Sequence, residues 1–318
     1  MRNITTLLLY FLLFWQRVQA DSPQNYIFTD SDSLTSPIFL REDIKGAQIV
    51  YSWKQLEKSK DNYDFSAIER DMSILKKMNK KLFVQIQDRF FEPEHRNIPL
   101  YLQNEPQYLG GLIQQSDNPG EGKPAGSGWV AMQWNSQLRE RYQKLLKALS
   151  ESFDGKIAGI NLPETAIGID RKKATKLGFT CDRYFSATVD NILFAKKSFK
   201  KSHVIQYVNF WPCEWNNNQG YMSKLFEIAY KNSIGLGGPD IVPYKNGHMK
   251  NSYPFFHKYQ GKLDIIAMAV QQPTLTYTNP QTKNKFTKEE FIEFADHYLG
   301  VNIIFWTLDA PWLHDIVK

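Results

Sequence analysis

The tetrad Leu162-Pro163-Glu164-Thr165 follows an apolar run, Ile157 to Leu162, of the kind that forms a buried parallel strand. A glutamate delivered to the end of such a strand, among aromatic groups and away from bulk water, has its proton held more tightly and becomes able to donate it. Reading the ends of the other apolar runs in order gives Trp53, then Gln87 with Asp88, Trp134 with Asn135, Asn209 and Trp211 with Glu214 just beyond, Asp240, Gln271 with Gln272, and Trp306. Carboxylates, amides and indoles in one set suit a sugar. Flat aromatic faces meet the CH face of a pyranose, and amides and acids bond to its hydroxyls.

These residues need a scaffold that brings strand ends to one face. Eight short apolar runs are candidates: Ala47 to Trp53, Leu82 to Gln87, Val130 to Trp134, Ile157 to Leu162, Val204 to Phe210, Ile234 to Gly237, Ile265 to Val270 and Asn302 to Trp306. Helical stretches separate them. Ser66 with Glu69 and Thr287 with Glu290 read as capping boxes, and apolar stripes follow at Ile68-Met72-Leu75 and Phe291-Phe294-Tyr298. Further stripes run through Leu138, Tyr142, Leu145 and Leu149, and through Phe185, Val189 and Ile192. Alternating strands and helices predict an α/β fold, a (β/α)8 TIM barrel, as a single domain over residues 21–318. A doubly wound sheet would show a glycine-rich turn after its first strand, whereas this strand ends Tyr51-Ser52-Trp53-Lys54. Residues 88–129 then read as an extended loop between strands two and three that walls the catalytic face.

Residues 1–20 combine Arg2, an apolar stretch Leu7 to Trp15 and Val18-Gln19-Ala20, which predicts a signal peptide cut after Ala20 and a secreted or periplasmic protein with no membrane span after cleavage. The formal charge of +6 would fall to +4 with those residues removed, and scattered lysines read as solvated helix faces, which argues against a nucleic-acid partner. Six histidines without metal spacing point to no metal. No phosphate-binding glycine loop or Gly-x-Ser-x-Gly elbow indicates a nucleotide cofactor or a serine hydrolase. Two cysteines, Cys181 and Cys213, would fall in adjacent loops on the site face, where a disulfide is geometrically reasonable; two separate thiols are the alternative.

Several stretches, in this order and spacing, resemble the TIM-barrel retaining glycoside hydrolases of the large clan that includes β-galactosidases and cellulases. They are Gly46 to Trp53 followed by Leu56-Glu57 and Tyr63 to Ser66, then Ile98 to Leu102, then Trp134-Asn135 with the following helix. The strand ending at Glu164 and Ile303-Ile304-Phe305-Trp306 complete the set. The resemblance spans roughly residues 44–310. It implies a general acid/base at Glu164, a sugar-platform tryptophan at Trp306 and an oligo- or polysaccharide partner, with no cofactor. Two positions depart from the pattern: Pro163 stands where the clan has asparagine, and the strand-seven nucleophile is replaced by Gln271-Gln272, amides that cannot act as a carboxylate.

Glycosidases generally need two carboxyl groups. Candidates for a relocated partner are Asp240, preferred because Gly237-Gly238-Pro239 gives it a defined turn, then Glu214, then Asp88. The competing expectation is a carbohydrate-binding barrel that kept the cleft and lost the nucleophile. Tryptophans buried away from the mouth would instead favour a non-sugar ligand.

Overall fold

The computed structural model describes residues 22–116 and 128–314. Eight parallel strands close a barrel: β1 Gln24–Thr29, β2 Ile44–Ser52, β3 Lys81–Gln87, β4 Gly159–Leu162, β5 His203–Tyr207, β6 Gly235–Gly238, β7 Ile266–Val270 and β8 Ile303–Thr307. Pairing of β1 with both β8 and β2 closes the ring. The fold is the (β/α)8 barrel that the alternation of strands and helices predicts.

Its strand count is eight, but one member differs. Gln24–Thr29 is the first barrel strand, whereas Gly128–Ala131 belongs to a separate antiparallel sheet. Only Tyr26-Ile27-Phe28 is apolar within β1, too short a run to stand out. The long excursion therefore lies between the third and fourth barrel strands, not between the second and third. Glu164 keeps its place after the fourth. The antiparallel sheet has the order 168–169, 112–116, 128–131, 89–90, so its two edges are the segments that follow β4 and β3. The wall above the barrel is thereby bonded to the chain on either side of the Glu164 turn. The Gly/Pro-rich run from Asn118 to Gly128 falls almost wholly outside the described residues, as does the expected signal peptide at 1–20.

Side chains alternate across each strand with period two, so the barrel interior draws on every second residue. Tyr26, Phe83 and Phe305 meet edge to face there, with ring centroids 5.2–5.9 Å apart. Small residues, Gly237, Ala267 and Ala269, occupy the β6–β7 side and leave room above them. Gly237 is required: a Cβ there would lie 1.8 Å from the Ala267 carbonyl oxygen.

Helices α1 Ser66–Lys77, α2 Ser136–Phe153, α3 Cys181–Ser198 and α4 Tyr221–Lys231 cover the sheet. Leu138, Tyr142, Leu145 and Leu149 form the buried face of α2, and Asn135 caps its start through Leu138 N. At α1 the capping acceptor is Asp64, whose Oδ1 takes both N–H and O–H of Ser66. The Thr287–Glu290 capping box is formed on both arms.

Candidate active site

Above the small residues of β6 and β7 lies a cavity of about 550 Å3, and both Glu164 and Asp240 line it. It sits at the C-terminal ends of the strands, the face that carries function in this architecture.

Every member of the Glu164 turn is held. Gln206 donates to the Pro163 carbonyl, Arg89 Nη1 to the Glu164 carbonyl (2.8 Å), and the Tyr184 hydroxyl to the Thr165 carbonyl (3.0 Å). Thr165 in turn donates through N to Tyr207 O (3.1 Å) and through Oγ1 to Phe210 O (2.8 Å). The side chain is aimed by Asn209, whose Oδ1 accepts from Ala166 N and Phe210 N. That fixes the amide orientation and leaves Nδ2 to donate to Glu164 Oε2. Asn209 thus orients the Glu164 carboxyl.

Burial pushes the Glu164 carboxyl up to about 7. The Arg89 guanidinium opposes the rise, the negative charge of Asp240 adds to it, and the Asn209 hydrogen bond opposes it again. A carboxyl poised near neutrality can give a proton and take it back.

Asp240 follows Gly237-Gly238-Pro239, and its flanking backbone is pinned by Ile241 N to Ala269 O (2.7 Å) and by the Tyr253 hydroxyl, which donates to Asp240 O (3.0 Å). Burial raises its carboxyl above the usual range, against the Thr274 hydroxyl that donates to Oδ1 (3.2 Å) and the charge of Lys245. His248, also on the cavity, is held neutral, lowered to about 4 by burial and by Lys245. The remaining walls are phenyl rings (Phe28, Phe90, Phe91, Phe210), the Tyr207 ring and amides from Gln85, Gln87 and Gln271.

Other expected site residues lie elsewhere. All four strand-end tryptophans are core: Trp53 bonds to Glu57 Oε2, Trp134 to Leu177 O and Trp306 to Asn25 Oδ1, while Trp211 packs among Tyr184, Phe185 and Tyr221. None lines the cavity, so the expected indole platform is absent from it, the arrangement that, on the sequence, favours a non-sugar ligand. Trp306 faces the helices because Phe305, its neighbour, takes the inward position of β8. Asp88 is buried against Arg89 (2.8 Å) and Gln133 (2.9 Å). Both Glu214 oxygens accept helix N–H groups, from Tyr221 (2.7 Å) and Met222 (3.0 Å), so Glu214 caps α4 and is not a partner for Glu164. Gln272 points to solvent, whereas Gln271 is on the cavity. Cys181 and Cys213 form a disulfide.

Arg89, Gln85 and Tyr207 are not legible as site residues from strand ends alone, whereas Phe210 is the last residue of its apolar run. Period-two alternation is the signal that would have found Gln85, since it shares a face with Gln87 two residues on. Arg89 carries no such signal, being placed by the excursion.

No family model matches the chain, and no curated protein matches it by sequence. Solved structures do resemble its fold. The catalytic domain of a β-amylase from Paenibacillus polymyxa superposes with a TM-score of 0.57 at 12% identity, over 91% of this chain and 92% of that one. A β-galactosidase from Bacillus circulans sp. alkalophilus gives 0.55 at 12% identity, over 90% of this chain and 50% of that one. A psychrophilic family 10 endo-β-1,4-xylanase gives 0.50 at 8% identity, over 90% and 86%. At these identities the likeness is one of fold.

Proposed function

We propose that this chain hydrolyses a glycosidic bond, with Glu164 as the general acid and Asp240 as the second carboxylate. The observation that carries the reading is the meeting of these two groups on one cavity at the barrel's C-terminal face, with Glu164 held protonated up to about 7. Glu164 gives its proton to the departing oxygen. Asp240, ionised, acts on the anomeric carbon, by direct attack or by taking a proton from the attacking water, and the product's anomeric configuration distinguishes the two. Once deprotonated, Glu164 is stabilised by Arg89 beneath it and by Asn209 beside it.

Phenyl rings, not indoles, supply the stacking surface, and Gln85, Gln87 and Gln271 supply hydroxyl contacts. Among the described lining residues none is lysine or arginine, which supports a neutral glycan over an acidic one. The sequence of residues 1–20 supports export, and the Cys181–Cys213 bridge fits an oxidising compartment.

A second reading, a carbohydrate-binding barrel without turnover, is favoured by one observation: the strand-seven residue on the cavity is the amide Gln271. A hydrolysis and binding screen over neutral oligosaccharides, run on wild type, Glu164→Gln and Asp240→Asn, separates the two. Turnover falling about 100- to 10,000-fold in both variants is the expected result. Turnover unaffected by Glu164→Gln overturns the acid role, and binding without turnover in all three proteins establishes the second reading.

A further inference from the structure

We propose that Trp215, continuous with Phe210, forms a stacking surface outside the cavity that carries a glycan chain over its rim, so that the occupant is a chain of several rings. The proposal rests on the glycan reading of the cavity and extends it.

Trp215 is 52% exposed, the one exposed tryptophan among the described residues. Its ring is parallel to that of Phe210, with an interplanar angle of 2° and centroids 6.1 Å apart, and Phe210 lines the cavity. Through this stack a ring of the cavity lining meets an exposed indole. Gly247 lies beneath both rings, where a Cβ would come within 3.4 Å of Phe210 and 3.9 Å of Trp215.

The loop that presents this indole is rigidly built. Cys213, Asn216 and Asn217 all have positive φ (69°, 52° and 57°), a conformation that costs a non-glycine residue free energy and persists only where the surroundings impose it. Here those surroundings are the bridge to Cys181, the Glu214 cap on α4, Asn216 N donating to Asn251 Oδ1 (2.8 Å) and Asn217 Oδ1 accepting from Ser223 N (3.1 Å). Trp215 N itself donates to Asn218 Oδ1 (3.1 Å). Exposed amides, Asn216, Asn218 and Gln219, follow it in the same loop. An exposed aromatic face on a loop rich in amides suits a sugar ring, which offers CH groups on its faces and hydroxyls at its edge.

The test measures affinity by calorimetry for cello-, xylo-, malto- and chito-oligosaccharides of two to six rings. It uses wild type, Trp215→Ala and Trp215→Phe, each also carrying Glu164→Gln so that ligands survive. In the series that binds, the affinity gained between two and five rings should fall about tenfold in Trp215→Ala, equivalent to about 1.4 kcal/mol, and return in large part with Trp215→Phe. Equal chain-length dependence in all three proteins overturns the proposal and leaves the cavity reading in place. Binding of no series by any protein overturns the glycan reading and this proposal with it.

Discussion

Arg89 donates to the main-chain oxygen of Glu164 at 2.8 Å and pairs through Nε with Asp88, so a buried cation is locked beneath the candidate acid and acts on its carboxyl through space. This arrangement sets how easily Glu164 gives up its proton. Removing Arg89 alone would leave Asp88 buried and uncompensated, at a cost of about 3–5 kcal/mol. The useful variant is the double replacement Asp88→Asn with Arg89→Gln. Loss of the cation that favours the ionised form should move the Glu164 transition above its value of about 7, so the high-pH limb of the activity profile shifts further to the alkaline side. A pH–rate profile checks it, and an unchanged limb would remove Arg89 from the tuning of the acid.

Stability should respond to the same carboxyl. Its folded-state value of about 7 is raised from the ordinary 4.5, so the folded protein holds a proton that the unfolded chain has released. The resulting penalty is absent below about pH 4.5, grows as pH rises to about 7 and is constant above it. Glu164→Gln removes the penalty. Relative to wild type, the variant should gain stability between pH 4.5 and 8, by at most about 3 kcal/mol, in urea unfolding at each pH. A difference independent of pH would mean that the carboxyl is not raised.

Glu214 should behave oppositely. Its two oxygens cap α4, so Glu214→Ala is expected to cost about 1–2 kcal/mol of stability and to leave the shape of the pH–rate profile as in wild type. Thermal melts and the profile together decide. A profile altered in shape would return Glu214 to the chemistry.

The Cys181–Cys213 bridge spans 32 residues, and its removal by paired serine substitutions should cost about 4 kcal/mol. Because Cys213 is two residues from Trp215, the loss should also weaken the discrimination between short and long oligosaccharides. Urea unfolding and the chain-length series measure the two effects separately.

Much of this was open to reading in the sequence. Glu164 and Asp240 each follow a short apolar run, and such runs mark barrel strands whatever the intervening loops do. The tryptophans misled for a reason of geometry: a residue at a strand end faces the cavity or the helices according to the pleat, and Trp306 is one residue out of phase with Phe305. Trp53 lies past the end of β2, in a helical turn whose carboxylate neighbour Glu57 takes its N–H. The first strand has no local signature because Tyr26-Ile27-Phe28 gains its stability from pairing on both sides, which no local pattern encodes. Arg89 was hidden for the same kind of reason, since its contacts with Glu164 and Tyr184 come from chain about 75 to 95 residues away.

Asp240 arrives from the sixth strand, where the clan that the sequence resembles uses the seventh. Around a ring of eight strands, one position is about an eighth of a turn, roughly 45° about the barrel axis. A line drawn across the cavity from Glu164, itself on the ring, to Asp240 is then turned by about half that amount against a line to Gln271. Inhibitors shaped for a strand-four and strand-seven pair would then offer their charged face to an amide. On the role proposed for Asp240, compounds for this barrel would carry their cationic centre turned toward the Gly-Gly-Pro corner.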